Sequence, residues 1–85
     1  MKYTLIYTPR AERDIAGLDS KTKERIGKAL LRYKEEPLKY AEKLSDPILG
    51  TYCFRIGDYR VIFDLEGNEI VVLRVGHRRE IYRRG

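Results

Sequence analysis

Eighty-five residues are expected to make a single domain, 1–85, with one modest core, because a chain this short buries only roughly 60–65% of its unfolded surface. Hydrophobic residues at 42% and charged residues at 36% describe a globular chain, and the +5 net charge suits a polyanion: nucleic acid, an anionic membrane surface or an acidic protein. The one cysteine, Cys53, excludes an internal disulfide, a CxxC redox pair and a cysteine-based zinc site, and no apolar run approaches the ~18 residues of a membrane span.

Lys2 to Tyr7 alternates and contains Tyr, Thr, Leu and Ile, which predicts a short strand. No signal-peptide-like apolar stretch occurs there, so a cytoplasmic location is expected. Thr8-Pro9 supplies an N-cap and a proline at the first helical position. Ala11, Ile15 and Leu18 follow at helical spacing in a short helix ending near Gly17. Asp19 or Ser20 caps a second helix, where Ile26, Ala29, Leu30 and Tyr33 fall at i, i+3, i+4, i+7. Its opposite side carries Lys21, Glu24, Arg25, Lys28 and Arg32, and Pro37 stops it at about Glu36.

Residues 37–50 are expected as a connecting loop, pinned to the core by Leu38, Tyr40, Leu44 and Ile48. Thr51–Ile56, Tyr59–Asp64 and Glu69–Val75 then read as strands. Gly57-Asp58 suits a two-residue hairpin turn, and Glu66-Gly67-Asn68 a hairpin carrying a glycine bulge. The order β-α-α-β-β-β predicts an α+β fold, with two N-terminal helices packed on one face of a small, mostly antiparallel sheet.

The register of the first hairpin locates the chemistry. With Gly57-Asp58 as its loop, Tyr52, Phe54, Ile56, Tyr59, Val61 and Phe63 share the core face. Cys53, Arg55, Arg60 and Ile62 share the other, and Arg55 opposes Arg60 directly. Like charges in that position are destabilising, so the pair points to a function. A three-residue second loop puts Val71, Leu73 and Val75 on the core face and Arg74 beside Arg60; a two-residue loop at Gly67-Asn68 would instead send Arg74 toward the helices, which suits a charge less. From Arg74 onward come five arginines (Arg74, Arg78, Arg79, Arg83, Arg84) with His77 and Tyr82. Arginine forks match phosphate oxygens, so an open arginine face edged by His77 and Tyr82 reads as a phosphodiester site. Each part has a plainer reading: Arg55 and Arg60 solvated beside Asp58, Asp64 or Glu66; His77 in a turn; Tyr82 in packing; the last arginines as a basic tail; Lys21 and Lys28 on a solvated helix face. No glycine-rich phosphate loop, HExxH or GxSxG occurs, and neither the single histidine nor the scattered carboxylates show metal-ligand spacing, so no metal and no cofactor are expected.

The run Tyr52-Cys53-Phe54-Arg55-Ile56-Gly57-Asp58-Tyr59-Arg60-Val61-Ile62-Phe63, with Val72-Leu73-Arg74-Val75-Gly76-His77-Arg78-Arg79-Glu80-Ile81-Tyr82, resembles the RelE branch of the RelE/ParE toxin superfamily. The opening strand with Thr-Pro-x-Ala-x-x-Asp and the Pro-Leu-x-Tyr-x-x-x-Leu loop match it too. The resemblance implies the toxin of a type II toxin–antitoxin system, partnered by an antitoxin protein, that cuts mRNA on the ribosome without a metal. The message's 2′-hydroxyl attacks the adjacent phosphate, leaving a cyclic phosphate and a 5′-hydroxyl. Arg60 matches a phosphate-stabilising arginine, and Arg55 the second of two basic residues on the preceding strand, whose first falls at Cys53. Arg78 matches an arginine that protonates the leaving oxygen or stabilises its charge. Tyr82 matches a tyrosine that orients or deprotonates the nucleophile. His77 has no fixed role but lies where related toxins use a nearby histidine. Arg74, Arg79, Arg83, Arg84, Lys21 and Lys28 are expected to bind RNA. The alternatives are a ParE-like toxin that inhibits DNA gyrase without cleaving RNA, and a catalytically weak RNA- or ribosome-binding protein. The ParE branch generally lacks the arginine–tyrosine set.

Overall fold

A computed structural model describes residues 3–45 and 50–81. The elements are β1 (Thr4–Tyr7), α1 (Pro9–Ala16), α2 (Ser20–Tyr33), α3 (Pro37–Tyr40), β2 (Ala41–Lys43), β3 (Tyr52–Ile56), β4 (Tyr59–Glu66), β5 (Glu69–His77) and α4 (Arg78–Ile81). One sheet runs β1-β5-β4-β3-β2, and its pairs are antiparallel except the parallel β1 and β5. The α+β reading holds. No helix among the described residues is long and apolar enough to cross a membrane.

Local chemistry starts the helices. The Thr8 hydroxyl oxygen accepts the Ala11 N–H at 3.1 Å and caps α1, with Pro9 at its first position. At the start of α2 the Thr22 hydroxyl donates to the Asp19 carboxylate and lowers its pKa from the ordinary value. Ala11, Ile26 and Leu30 then pack on Phe54, Ile56, Val61, Phe63, Ile70, Val72 and Val75. Phe54 and Phe63 stack across β3 and β4 with centroids 4.3 Å apart, and Tyr33 of α2 leans on Phe54 at 5.0 Å.

Three expectations are corrected. Residues 37–45 are not a plain loop: Pro37 starts α3, and β2 then pairs antiparallel with β3 at the sheet edge. Leu38 is 58% exposed and pins nothing. Tyr40 instead stacks on Tyr33 at 4.5 Å, Leu44 packs beneath the sheet, and Ile48 lies outside the described residues.

Second, the β4–β5 hairpin turns in two residues, Gly67 at φ +60° and Asn68, with Glu66 opposite Glu69. Ile70 and Val72, not Val71, therefore reach the core. The register then slips between Ile62 and Phe63, and the extra residue is Leu73. Strict alternation cannot bury both Val72 and Val75, which are an odd number of residues apart; the bulge lets it. The Leu73 carbonyl accepts the Thr8 hydroxyl at 3.2 Å, and the Val72 carbonyl accepts the Thr8 N–H at 3.1 Å. The start of α1 thus clamps the bulge.

Third, the face opposite the large core is not an open arginine surface. Cys53, Ile62 and Ile81 are buried there with Leu44 and Leu73, under α4. Ile62→Ala is expected to cost about 2–5 kcal/mol, as a buried large-to-small change does; denaturant unfolding would show it. A solvated face would give near-parental stability.

Candidate phosphodiester site

The site is organised by the Gly57–Asp58 turn. Gly57 sits at φ +60°, a conformation glycine adopts without steric cost, and the two-residue reversal pairs Arg55 with Arg60. The predicted register of this hairpin is the observed one, Tyr52 opposite Phe63 through Ile56 opposite Tyr59.

Each arginine of the opposed pair has its own acceptors. Arg55, with a 57% exposed side chain, reaches Glu42 on β2, Nη1 to Oε1, at 3.0 Å. Arg60 is only 6% exposed, and its Nη1 donates to the Gly57 and Tyr59 carbonyls, both at 2.9 Å. Among the described residues no protein acceptor takes its Nε or Nη2, so the fork is oriented by one nitrogen and free at the others. A cation fixed in poorly solvated surroundings acts more strongly on a nearby anion than a mobile surface charge does.

Arg78 joins through the same turn. Its N–H donates to the Asp58 carbonyl at 2.8 Å, and its Nε lies 3.8 Å from Asp58 Oδ1. Arg55, Arg60 and Arg78 are therefore gathered around two residues.

Other expected site residues fall elsewhere. Arg60 lies opposite Gly76, not beside Arg74, because the two-residue turn moves the register by one residue and the Leu73 bulge by one more. Arg74 turns to α1, where its Nε meets Asp14 Oδ2 at 2.8 Å; the same carboxylate oxygen accepts the Val75 N–H at 3.0 Å. This carboxylate ties helix to strand and commits Arg74 to a structural contact.

His77 pairs with Tyr59 and meets its ring edge-on at 5.6 Å. It shares the side of the sheet on which Tyr59 packs, away from Arg55 and Arg60. Its Nδ1 accepts the Arg79 N–H at 3.1 Å, which caps α4. Arg79 is exposed. Lys28 faces Arg55 across a groove, and Lys21 is exposed on the first turn of α2. Tyr82, Arg83 and Arg84 lie outside the described residues. Among the described residues no three or more His, Cys, Asp or Glu side chains converge to hold a metal ion.

Three contacts were missed in the sequence. Glu42 gave no signal, since β2 was not foreseen, and Asp14 reads as an ordinary helix acid. Arg25 was visible on the charged side of α2, but nothing local reveals that its guanidinium lies against Gly57.

Comparison with known proteins assigns the family. The model described as "ParE toxin of type II toxin-antitoxin system, parDE" matches residues 5–82. Toxin RelG of Mycobacterium tuberculosis is 36% identical over 91 residues, covering 99% of this chain and 100% of that protein. The chain belongs to the RelE/ParE superfamily of type II toxins. The toxin's fold matches the M. tuberculosis RelBE2 toxin–antitoxin complex with TM-score 0.82 and 28% identity, over 92% of this chain and 100% of that one. A chain of the chromosomal ParDE system of P. aeruginosa shares the fold, with TM-score 0.70 and 18% identity over 88% of this toxin and 95% of that chain. Both the RelE and ParE branches are thus built on this scaffold.

Cys53, where the RelE pattern has a basic residue, is 1% exposed beneath Leu44, Leu73 and Ile81. Cys53→Lys is expected to destabilise the toxin by several kcal/mol, the cost of burying an unpaired charge. A chemical denaturation curve unchanged from the parent would show that position 53 opens to solvent.

Proposed function

We propose that this toxin is a metal-independent mRNA endoribonuclease that acts on the ribosome in the cytoplasm and thereby inhibits translation. The observation that carries the proposal is the gathering of Arg55, Arg60 and Arg78 on the Gly57–Asp58 turn, with Arg60 buried and its fork held by carbonyls.

In the proposed reaction the message's 2′-oxygen forms a bond to the adjacent phosphorus as the bond to the 5′-oxygen breaks. The 2′-hydroxyl loses its proton and the 5′-oxygen gains one, leaving a 2′,3′-cyclic phosphate and a 5′-hydroxyl. Negative charge builds on the non-bridging oxygens of the phosphorane. Arg60 meets that charge with donors already in place, which spares the reorganisation that water would need. Arg55 adds a second, mobile cation; releasing Glu42 is inexpensive because exposed ion pairs are weak. Arg78 sits at the leaving side and stabilises the 5′-oxygen, since a guanidinium stays charged at neutral pH. Tyr82 is assigned to orienting or deprotonating the 2′-hydroxyl. His77 is a positioning residue: by capping α4 it holds Arg78 at the turn. Arg79, Arg83, Arg84, Lys21 and Lys28 are assigned to binding RNA, without a part in the chemical step. No cofactor is needed, because the charge on the phosphorane is met by the chain's own arginines.

The partners are the ribosome with its mRNA, and a cognate antitoxin. The antitoxin is supported by the complexes in which similar toxins were solved and by the +5 charge, which favours an acidic or amphipathic segment. Gyrase inhibition without cleavage is the competing reading, raised by the ParE description of the family.

Arg60→Ala should slow the chemical step on programmed ribosomes by on the order of 10²–10³, as loss of one preorganised donor does. It should also cost about 1–3 kcal/mol of stability, because the turn carbonyls lose their partner. Arg55→Ala and Arg78→Ala remove half-exposed side chains, so their cleavage should slow with melting curves close to the parent. Single-turnover rates near the parental value in all three variants would contradict the site.

A further inference from the structure

We propose that the groove between α2 and the Gly57–Asp58 turn binds the phosphodiester backbone of an RNA strand, next to the phosphate that reacts. The groove has a volume of about 300 Å³ and is lined by Arg25, Lys28 and Arg32 of α2 and by Arg55 of β3, with no carboxylate lining it among the described residues. The inference rests on the ribonuclease reading only in taking the bound strand to be the substrate.

The cations are ordered. Lys21, Arg25, Lys28 and Arg32 follow one another at steps of four, three and four, so they form one stripe along α2. At 1.5 Å per residue that stripe is about 16 Å long, room for more than one phosphate. Its end at Arg32 lies over the Tyr33 ring, 5.3 Å from the centroid. Its middle is set by Gly57. A Cβ built there would stand 2.7 Å from Arg25 Nη2 and 2.9 Å from its Cζ and Nη1. The guanidinium thus lies against bare backbone, on the same turn whose carbonyl holds Arg60.

The available charge is also notable. Among the described residues neither Arg25 nor Arg32 pairs with a carboxylate. Lys28 pairs with Glu24 at 2.9 Å and Arg55 with Glu42 at 3.0 Å, but all four side chains are more than half exposed, so a phosphate can displace either acid. Arg55 belongs both to the groove and to the opposed pair with Arg60. That continuity favours RNA over an acidic protein segment: one strand can pass from the reacting phosphate, across Arg55, into the stripe.

The test uses the full chain and a short fluorescent oligouridylate, with affinity measured over a series of salt concentrations. Each phosphate contact to a single strand contributes about −0.7 to the slope of log K against log salt. Arg25→Gln with Arg32→Gln should flatten the slope by about 1.4. Lys23→Gln with Lys34→Gln removes the same charge from the opposite side of α2 and should keep the parental slope. Equal slopes for the two double variants, or no salt-dependent RNA binding by the parent, would overturn the groove. It would also be overturned if the groove variant kept its RNA slope but lost affinity for the antitoxin, since the groove would then serve a protein. Ribosomal cleavage assayed in parallel separates the two readings: a parent that binds with the expected slope yet never cleaves keeps the groove and loses the ribonuclease.

Discussion

A two-residue reversal at Gly57–Asp58 governs the chemistry of this surface. A glycine at positive φ lets β3 return as β4 without a longer loop, and the return forces Arg55 and Arg60 into opposition. The turn's polar backbone then does what a side chain cannot. Its carbonyls fix Arg60 and the Arg78 N–H, while the missing Cβ makes room for Arg25. Arginines from a helix, two strands and a helix start converge on one short segment of main chain.

Concentrating positive charge in this way works against folding, and the protein distributes the load. Glu42 meets Arg55, Asp58 meets Arg78, and Asp14 meets both Arg74 and Arg10. Among the described residues Arg60 meets no carboxylate and is held by carbonyl dipoles instead. That difference bears on the proposed cleavage. An acid beside Arg60 would neutralise the charge that a phosphorane needs, whereas carbonyls orient the fork and leave its net charge intact. Exposed pairs such as Arg55–Glu42 exchange readily, so they shield the cluster without sealing it.

Much of this was legible in the sequence because period-two alternation around Gly57-Asp58 admits one register that buries Phe54, Val61 and Phe63 together. The first two helices were equally plain, from the Thr8-Pro9 cap and the Ile26–Leu30 spacing, whereas the short α3 and α4 were not. What stayed hidden depends on tertiary contact. Ala41–Lys43 carries two charges in three residues and becomes a strand only because β3 offers it an edge. The bulge at Leu73 has no local sign, since it arises from Thr8 binding the neighbouring carbonyls and from the demand to bury both Val72 and Val75. That slip carried Arg74 to α1, and the pairing of His77 with Tyr59 set the histidine away from the arginine pair. The depth of Arg60 was equally invisible, because a strand arginine on a non-core face is ordinarily solvated.

The central claim is that the arginines around this turn serve RNA cleavage and not the poisoning of another enzyme. Primer extension on a message translated in vitro with the purified toxin, run beside a gyrase supercoiling assay, tests it most directly. The account predicts codon-phased breaks in the message, ending in a 5′-hydroxyl on the downstream fragment, with gyrase unaffected. Intact message together with inhibited supercoiling would contradict it.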